Sequence, residues 1–191
     1  MSTRGINSGD RELTKQDVRS RILLKIKTQK EEDRNRKSCI LKNKLFRTLA
    51  FKRAKSVMFY IAFGGEVETK EMIEETHNSG KIVAVPVCKT LRVIRPSIFH
   101  HRLVLKKGLH GVKEPKIKRF MNLKDIDLVV VPGVAFDKKG NRLGRGKGCY
   151  DYFLKSLSPQ TTTIGLAFDF QILPNIPITP QDTRVNKVLF A

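Results

Sequence analysis

The stretch that most constrains this chain is a short run at residues 126–131 (IDLVVV) with a glycine-studded segment directly behind it. A continuous apolar run of this length, rich in β-branched side chains, predicts a strand. The absence of polar residues at alternate positions predicts burial on both faces, the situation of a strand inside a parallel sheet. Such a sheet needs helices on both sides. The predicted fold is therefore α/β: a three-layer domain with a mainly parallel central sheet flanked by helices.

The rest of the chain supplies suitable elements. Thr14 and Asp17 make a capping-box pattern, with Asp in place of Glu at the third position. Val18, Ile22 and Ile26 follow at helical spacing, so a helix is predicted over 15–30. Leu41, Leu45 and Leu49 mark one face of a second helix over 33–50. Apolar runs predict strands at 56–62 (SVMFYIA) and 81–87 (KIVAVPV). Between them Thr69 is read as the cap of a short helix that stops at Asn78, Ser79 and Gly80. Residues 88–124 are Lys- and Arg-rich and predicted irregular, apart from short strands at 91–94 and 103–105. A long Gly-rich loop, a helix over 148–157 and strands over 162–167 and 187–190 complete the pattern. Residues 13–191 thus read as one domain, preceded by a flexible segment at 1–12.

Charge narrows the partner. The chain has 38 Lys and Arg against 18 Asp and Glu, a net charge of +20. Residues 1–55 hold 17 basic and 6 acidic side chains, 56–80 hold 1 and 5, and 81–124 hold 12 and 1. Two basic blocks flank an acidic segment, and the partner expected is anionic. Nucleic acid is not the expected partner. The sequence has no aromatic RNA-binding strand, no Cys/His finger and no basic region leading into heptads. With 7% aromatic residues and no Trp, it is poorly supplied for base stacking. No apolar run approaches the roughly 20 residues that cross a bilayer, and MSTRGINSGDRELTKQ lacks the apolar core of a secretory signal. Cys39, Cys88 and Cys149 are odd in number and far apart, which fits neither a disulfide framework nor a close-spaced zinc site. The expected setting is cytoplasmic and reducing, with no membrane partner. His77, His100, His101 and His110 match no catalytic pattern.

The segment behind 126–131 carries the chemistry. Gly144, Gly146 and Gly148 alternate with Arg145 and Lys147 just before a predicted helix. Alternate glycines let backbone N–H groups approach a ligand, and the basic side chains and helix N-terminus add positive charge there. In a parallel sheet the loop also falls at the carboxyl end of a strand, where open α/β folds bind ligands. Two standard nucleotide motifs fail. A P-loop ending at Gly146 and Lys147 needs Gly at 141 and Ser or Thr at 148, where Asn141 and Gly148 stand. A dinucleotide fingerprint from Gly144 needs Gly or Ala at the position of Cys149. Asp151, a carboxylate beside this basic cradle, is what a phosphate-bridging Mg²⁺ requires. From the residues alone the segment is a phosphate site, with a Mg-nucleotide or a plain flexible surface turn both open.

The full segment, PGVAFDKKGNRLGRGKGCYD at 132–151, closely resembles the signature of the 5-formyltetrahydrofolate cyclo-ligase (5,10-methenyltetrahydrofolate synthetase) family. Lys15 and Arg19 resemble the family's N-terminal Lys-x-x-x-Arg. Glu66-Val67-Glu68-Thr69 is similar to its Glu-x-Glu-Thr, and Gly111-Val112-Lys113-Glu114-Pro115 to its Gly-Ile/Val-x-Glu-Pro. The resemblance runs from about residue 14 to the end. It implies conversion of 5-formyltetrahydrofolate, with ATP and Mg²⁺, into 5,10-methenyltetrahydrofolate, ADP and phosphate. It implies ATP contacts by Lys15, Arg19, Arg142, Leu143, Gly144, Arg145, Gly146, Lys147, Gly148, Cys149 and Tyr150. Folate would be met by Arg145 to Cys149 as well, with Glu66 on the pterin edge and Ile61 as an apolar wall. Asp151 is the implied Mg²⁺ ligand, and Asp182 a second. A monomer acting on small molecules is expected.

Two positions depart from the family pattern. Cys149 stands where Tyr is usual, and Cys88 follows Val87 where a basic or polar residue is common. Two other readings remain open on sequence. One is a non-catalytic phosphate or nucleic-acid binder. The other is a different enzyme on a related scaffold, such as a sugar-phosphate isomerase or CoA-transferase relative. The basic block at 81–124 is either a guide for the folate tail or a solvated surface.

Overall fold

The computed structural model describes residues 13–90, 92–100, 105–108 and 113–191. The expected flexible segment 1–12, residues 91 and 103–104 of the two predicted short strands, His101, His110, and Gly111 and Val112 of the Glu-Pro motif lie outside the described residues.

The first layer begins with α1 (Lys15–Thr28), which carries the predicted capping box: Asp17 N donates to the Thr14 hydroxyl at 3.2 Å, and Thr14 N to Asp17 Oδ2 at 3.0 Å. The second predicted helix is two. After α2 (Glu31–Arg47), Thr48 adopts an extended backbone and its hydroxyl accepts from Phe51 N, which starts a separate α3 (Leu49–Arg53). Leu41 and Leu45 are fully buried as the spacing predicts, whereas Leu49, now on a new helix, is 67% exposed. Strand β1 (Ser56–Met58) is shorter than predicted, because the chain leaves the sheet to turn over its edge at Gly64 and Gly65. Helix α4 (Lys70–Asn78) stands where expected with Thr69 at its N-cap position, but the Thr69 side chain makes no cap hydrogen bond. The Thr69 hydroxyl instead donates to Tyr60 O at 2.7 Å and accepts from Ala62 N at 3.3 Å, tying the turning segment to the helix.

Strand β2 (Ile82–Cys88) leads into a region that is more ordered than its composition predicts. β3 (Ile94–Ile98) pairs antiparallel with β2 from Cys88↔Ile94 to Ala84↔Ile98, and β4 (Leu105–Lys107) pairs with β5 (Lys113–Pro115). Arg95, Pro96 and Ser97 break the apolar run of β3, which hides it from a hydropathy reading. After β6 (Leu128–Val131), the stretch predicted as one long loop contains a hairpin, β7 (Ala135–Asp137) and β8 (Arg142–Leu143). Its turn is held by the buried Asp137 carboxylate, which accepts from Lys139 N and Asn141 N at 2.9 Å each. Gly140 in that turn has φ +87°, and a Cβ there would stand 2.2 Å from Val185 O, so only glycine fits. Helix α5 (Cys149–Lys155), β9 (Thr162–Ala167), β10 (Ile172–Leu173) and β11 (Lys187–Phe190) follow.

The main sheet has the order β11-β9-β6-β1-β2-β3, parallel at every pairing except β2 with β3. This is the predicted mainly parallel sheet. Both faces of β6 are buried: Leu128 and Val130 pack into the cluster beneath α2, α3 and α4, while Val129 and Val131 pack with Phe153 and Leu154 of α5. Each such side chain contributes roughly 1.5–3 kcal/mol by leaving water. A third cluster joins Val18, Ile22 and Ile26 of α1 to Val134, Ala135 and Leu143 of the hairpin, so α1 is fixed against the segment that carries the Gly-rich loop. Among the described residues no helix is long and apolar enough to cross a membrane.

Candidate active site

A cavity of about 220 Å³ opens at the carboxyl end of the parallel strands, the edge where this class of sheet binds ligands. The turn after β1 supplies Tyr60, Ile61, Phe63 and Glu66; the end of β2 supplies Pro86 and Cys88. The segments flanking the hairpin supply Pro132 to Val134 and most of 142–151. Elements far apart in sequence meet here because β1 and β6 are direct neighbours in the sheet, with Val57 opposite Leu128.

Glu66 is a buried charge in this wall. Arg145 donates to Glu66 Oε1 through Nε at 3.1 Å and Nη2 at 2.9 Å, and its guanidinium carbon lies 4.3 Å from the Phe63 ring centroid. Burial pushes the Glu66 carboxyl up from its ordinary range, and the Arg145 charge opposes that rise. Phe63 was not singled out from sequence; only its place beside the Gly64-Gly65 turn marks it.

Arg142 and Asp151 form a second pair under the loop. Arg142 Nη2 donates to Asp151 Oδ1 at 2.8 Å and Nη1 to Pro132 O at 3.3 Å, while Thr183 N donates to the same Asp151 oxygen at 3.3 Å. Asp151 Oδ2 accepts no hydrogen bond among the described residues. Arg142 is itself buried, so it acts from behind the loop rather than from the open cavity. Tyr150 Oη is buried without a hydrogen-bond partner among the described residues, and burial pushes this phenol well up.

The rim carries a third pair. Lys15 of α1 bonds Asp182 and donates to Thr179 Oγ1 at 3.2 Å. Burial alone would raise the Asp182 carboxyl, but the bonds from Lys15 and Thr179 outweigh it and hold it below its ordinary value. Arg19 Nε donates to Gly144 O at 2.9 Å, so α1 clasps the Gly-rich loop directly. Gly148, at φ +69°, leads the backbone into α5 in a left-handed turn.

Of the residues predicted from sequence, the cavity wall brings together Ile61, Glu66, Arg142, Gly144, Arg145, Lys147, Gly148, Cys149, Tyr150 and Asp151. Lys15, Arg19, Gly146 and Asp182 lie outside that wall, on the α1 side of the loop. The Leu143 side chain packs in the α1–hairpin cluster, so only its backbone is available to a ligand. Glu114, known from sequence only as part of a motif, lines the cavity with its buried carboxylate accepting from Cys88 N at 2.9 Å. Burial pushes the Cys88 thiol up to about 11, which leaves it a poor nucleophile. Among the described residues no group of three or more His, Cys, Asp or Glu could hold a metal ion by itself. Any cation here would be shared with a ligand.

Residues 11–191 match the model of the 5-formyltetrahydrofolate cyclo-ligase family. A mouse protein named 5-formyltetrahydrofolate cyclo-ligase is 29% identical over 188 residues, covering 92% of this chain and 93% of its own length. The protein of the same name from Haemophilus influenzae is 33% identical over 149 residues, covering 72% and 76%. The NMR structure of Aquifex aeolicus 5,10-methenyltetrahydrofolate synthetase superposes with a TM-score of 0.82 at 31% identity, covering 93% of this chain and 90% of that one. The Mycoplasma pneumoniae synthetase, at 22% identity and TM-score 0.76 over 92% and 98%, shares the fold.

Proposed function

The chain belongs to the 5-formyltetrahydrofolate cyclo-ligase family, and from that premise we propose that its cavity converts 5-formyltetrahydrofolate and ATP into 5,10-methenyltetrahydrofolate, ADP and phosphate. The observation that carries this reading is the meeting of two sites in one cavity: the buried Glu66 on one wall and the basic Gly-rich loop on the other, bridged by Arg145. A reaction that moves a phosphoryl group from ATP onto a folate needs the two ligands in contact, and this cavity offers one wall to each.

The chemistry runs in two displacements. The formyl oxygen attacks the γ-phosphorus of ATP, the bond to the bridging oxygen breaks, and ADP leaves. N10 then attacks the formyl carbon of the phosphorylated imidate and loses its proton, and phosphate departs to leave the methenyl bridge. Little covalent work falls to the protein, so its residues act by orientation and charge. Glu66 accepts from the 2-amino and N3–H groups of the pterin, a paired donor set suited to a carboxylate. Ile61 and Phe63 cover the ring. Gly144 to Gly148 present backbone N–H groups, and Arg145 and Lys147 charge, to the phosphates. Tyr150 lines the same cavity, and its buried hydroxyl, without a partner among the described residues, would donate to a ligand only after a local rearrangement.

The donor set fits Mg²⁺. Oxygen ligands from one or two carboxylates completed by phosphates suit this ion, and Asp151 lines the cavity, with bonds from Arg142 and Thr183 falling on Oδ1 alone. Mg²⁺ bound there would offset charge on the triphosphate. Arg142 and Thr183 N fix Oδ1 of the same carboxylate and so its orientation. Asp182 is the second carboxylate within reach of the loop; its bonds to Lys15 and Thr179 support a role in holding Lys15 toward the nucleotide.

Residues 13–191 are taken as one catalytic domain that works as a monomer. The setting proposed is cytoplasmic. Purified protein given 5-formyltetrahydrofolate, Mg²⁺ and ATP should develop the near-ultraviolet absorbance of the methenyl product and release ADP in equal amount. Folded protein that produces neither overturns the assignment.

A further inference from the structure

The pairing of Arg145 with Glu66 has a chemical counterpart in the substrate. A pterin contains a guanidine unit: N1, C2 with its amino group, and N3–H. Its planar N–H edge resembles the edge that Arg145 turns toward Glu66 Oε1 at 2.9 and 3.1 Å. The resemblance extends to stacking, since the guanidinium lies 4.3 Å from the Phe63 ring centroid, as a flat heterocycle would. Glu66 is too buried to stand unpaired without a large penalty. Phe63 N donates to Oε2 at 3.4 Å, and while the carboxylate is charged Oε1 also calls for a donor, a place for which Arg145 and the pterin compete.

Resting on the functional reading above, we propose that Arg145 is an internal stand-in for the pterin, displaced from Glu66 when the folate binds and thereby released to the nucleotide phosphates. Arg145 sits between Gly144 and Gly146, and Gly146 has φ +100°, so the backbone beside it tolerates reorientation that other residues would resist. The loop is also clasped by Arg19 through Gly144 O, which keeps its base in place while the Arg145 side chain changes partner. Folate binding then adds one cation to the phosphate side of the cavity, so the two substrates bind cooperatively. By linkage, nucleotide must tighten folate by the same factor. Arg145 thus positions charge for phosphoryl transfer only when a folate is present to receive the phosphoryl group, which limits futile hydrolysis of ATP.

The test is calorimetric titration of the full chain with a non-hydrolysable ATP analogue and Mg²⁺, with and without saturating 5-formyltetrahydrofolate. The wild-type protein should bind the analogue about 5-fold or more tightly when folate is present, within the usual range of allosteric coupling. Arg145→Ala should lose that factor, while binding folate alone as tightly as wild type or more tightly, because the competitor is gone. Arg145→Lys, which keeps the charge but not the planar fork, should also lose most of the coupling. Unchanged circular dichroism and melting temperature would establish that each variant folds. Full coupling in Arg145→Ala, or no coupling in wild-type protein that binds both ligands, overturns the inference alone. Wild-type protein that binds no folate overturns the functional reading together with it.

Discussion

Two aspartates stand near the Gly-rich loop, and they are held in different ways. Asp151 is the first acidic residue of α5 and is paired with Arg142, whose side chain is only 3% exposed. Asp182 lies in an irregular segment and is paired with Lys15, with both side chains about one-fifth exposed. The first pair has both partners fixed by the fold: Arg142 also donates to Pro132 O, and Asp151 accepts from Thr183 N on its carboxylate and from the Thr183 hydroxyl on its backbone O. In the second, Asp182 accepts from Thr179 N at 2.6 Å, but its cationic partner is a long flexible lysine. A carboxylate in the cavity wall, locked through one oxygen, is equipped to meet a cation repeatedly in one geometry. A carboxylate on the rim is equipped to hold a side chain in place.

This contrast can be broken by substitution. Asp151→Asn removes a charge from the phosphate side of the cavity and should lower kcat by roughly 10²-fold or more, with the fold retained. Steady-state kinetics with a melting curve check this, and near-normal turnover would remove Asp151 from the metal site. Glu66→Gln comes next. It leaves a neutral amide facing the pterin edge and an unpaired Arg145, and should raise KM for the folate by about 30-fold, on the order of 2 kcal/mol. KM for ATP should move far less. An equal rise for both substrates would show that Glu66 supports the whole cavity rather than one ligand.

The two kinds of carboxylate also differ in the sign of their pH response. Glu66 is raised above the ordinary 4.5 by burial, so protons compete with the pterin at a higher pH than for an exposed glutamate. KM for the folate should climb as pH falls toward that raised value, and a KM–pH profile of Glu66→Gln should lack that limb. For stability the raised carboxyl works in the opposite sense to Asp182. Its contribution is present at low pH and fades as pH rises through the folded value. Asp182 is lowered from 3.8, so its contribution is present above the unfolded value and lost as pH falls through the folded one. Asp182→Asn should therefore cost at most about 1 kcal/mol at neutral pH. That difference should vanish in acid, and turnover should fall by less than about 10-fold, consistent with a side-chain holder on the rim. Denaturant melts of both proteins across pH check this smallest effect.

Where sequence was enough, the residues acted alone. The β-branched run of β6 needs no partner to declare itself buried on both faces, and β9 and β11 begin and end where their apolar runs do. Val18, Ile22 and Ile26 declare α1 by spacing. Reading failed where a tertiary contact overrode the local signal. Leu49 continues the spacing of Leu41 and Leu45, but the Thr48 hydroxyl breaks the helix before it. Thr69 has the residue type of a cap, yet its hydroxyl is spent on the turn after β1. The hairpin inside 132–148 depends on Asp137 folding back onto its own turn, which composition does not reveal. At the site, the glycines and charges of 144–151 were visible as a pattern. That Arg145 faces Glu66, 79 residues away in sequence, depends on β1 lying beside β6. Phe63 entered the cavity on the same turn after β1, and Glu114 through its bond from Cys88 N at the end of β2.

The most direct test of this account is a crystal structure of the chain with Mg²⁺, ADP and 5-formyltetrahydrofolate bound. The account predicts the pterin edge on Glu66, the diphosphate along Gly144 to Gly148, the cation on Asp151, and Arg145 turned from Glu66 toward the phosphates. A folate seated away from Glu66, or a nucleotide that does not touch the Gly-rich loop, would contradict it.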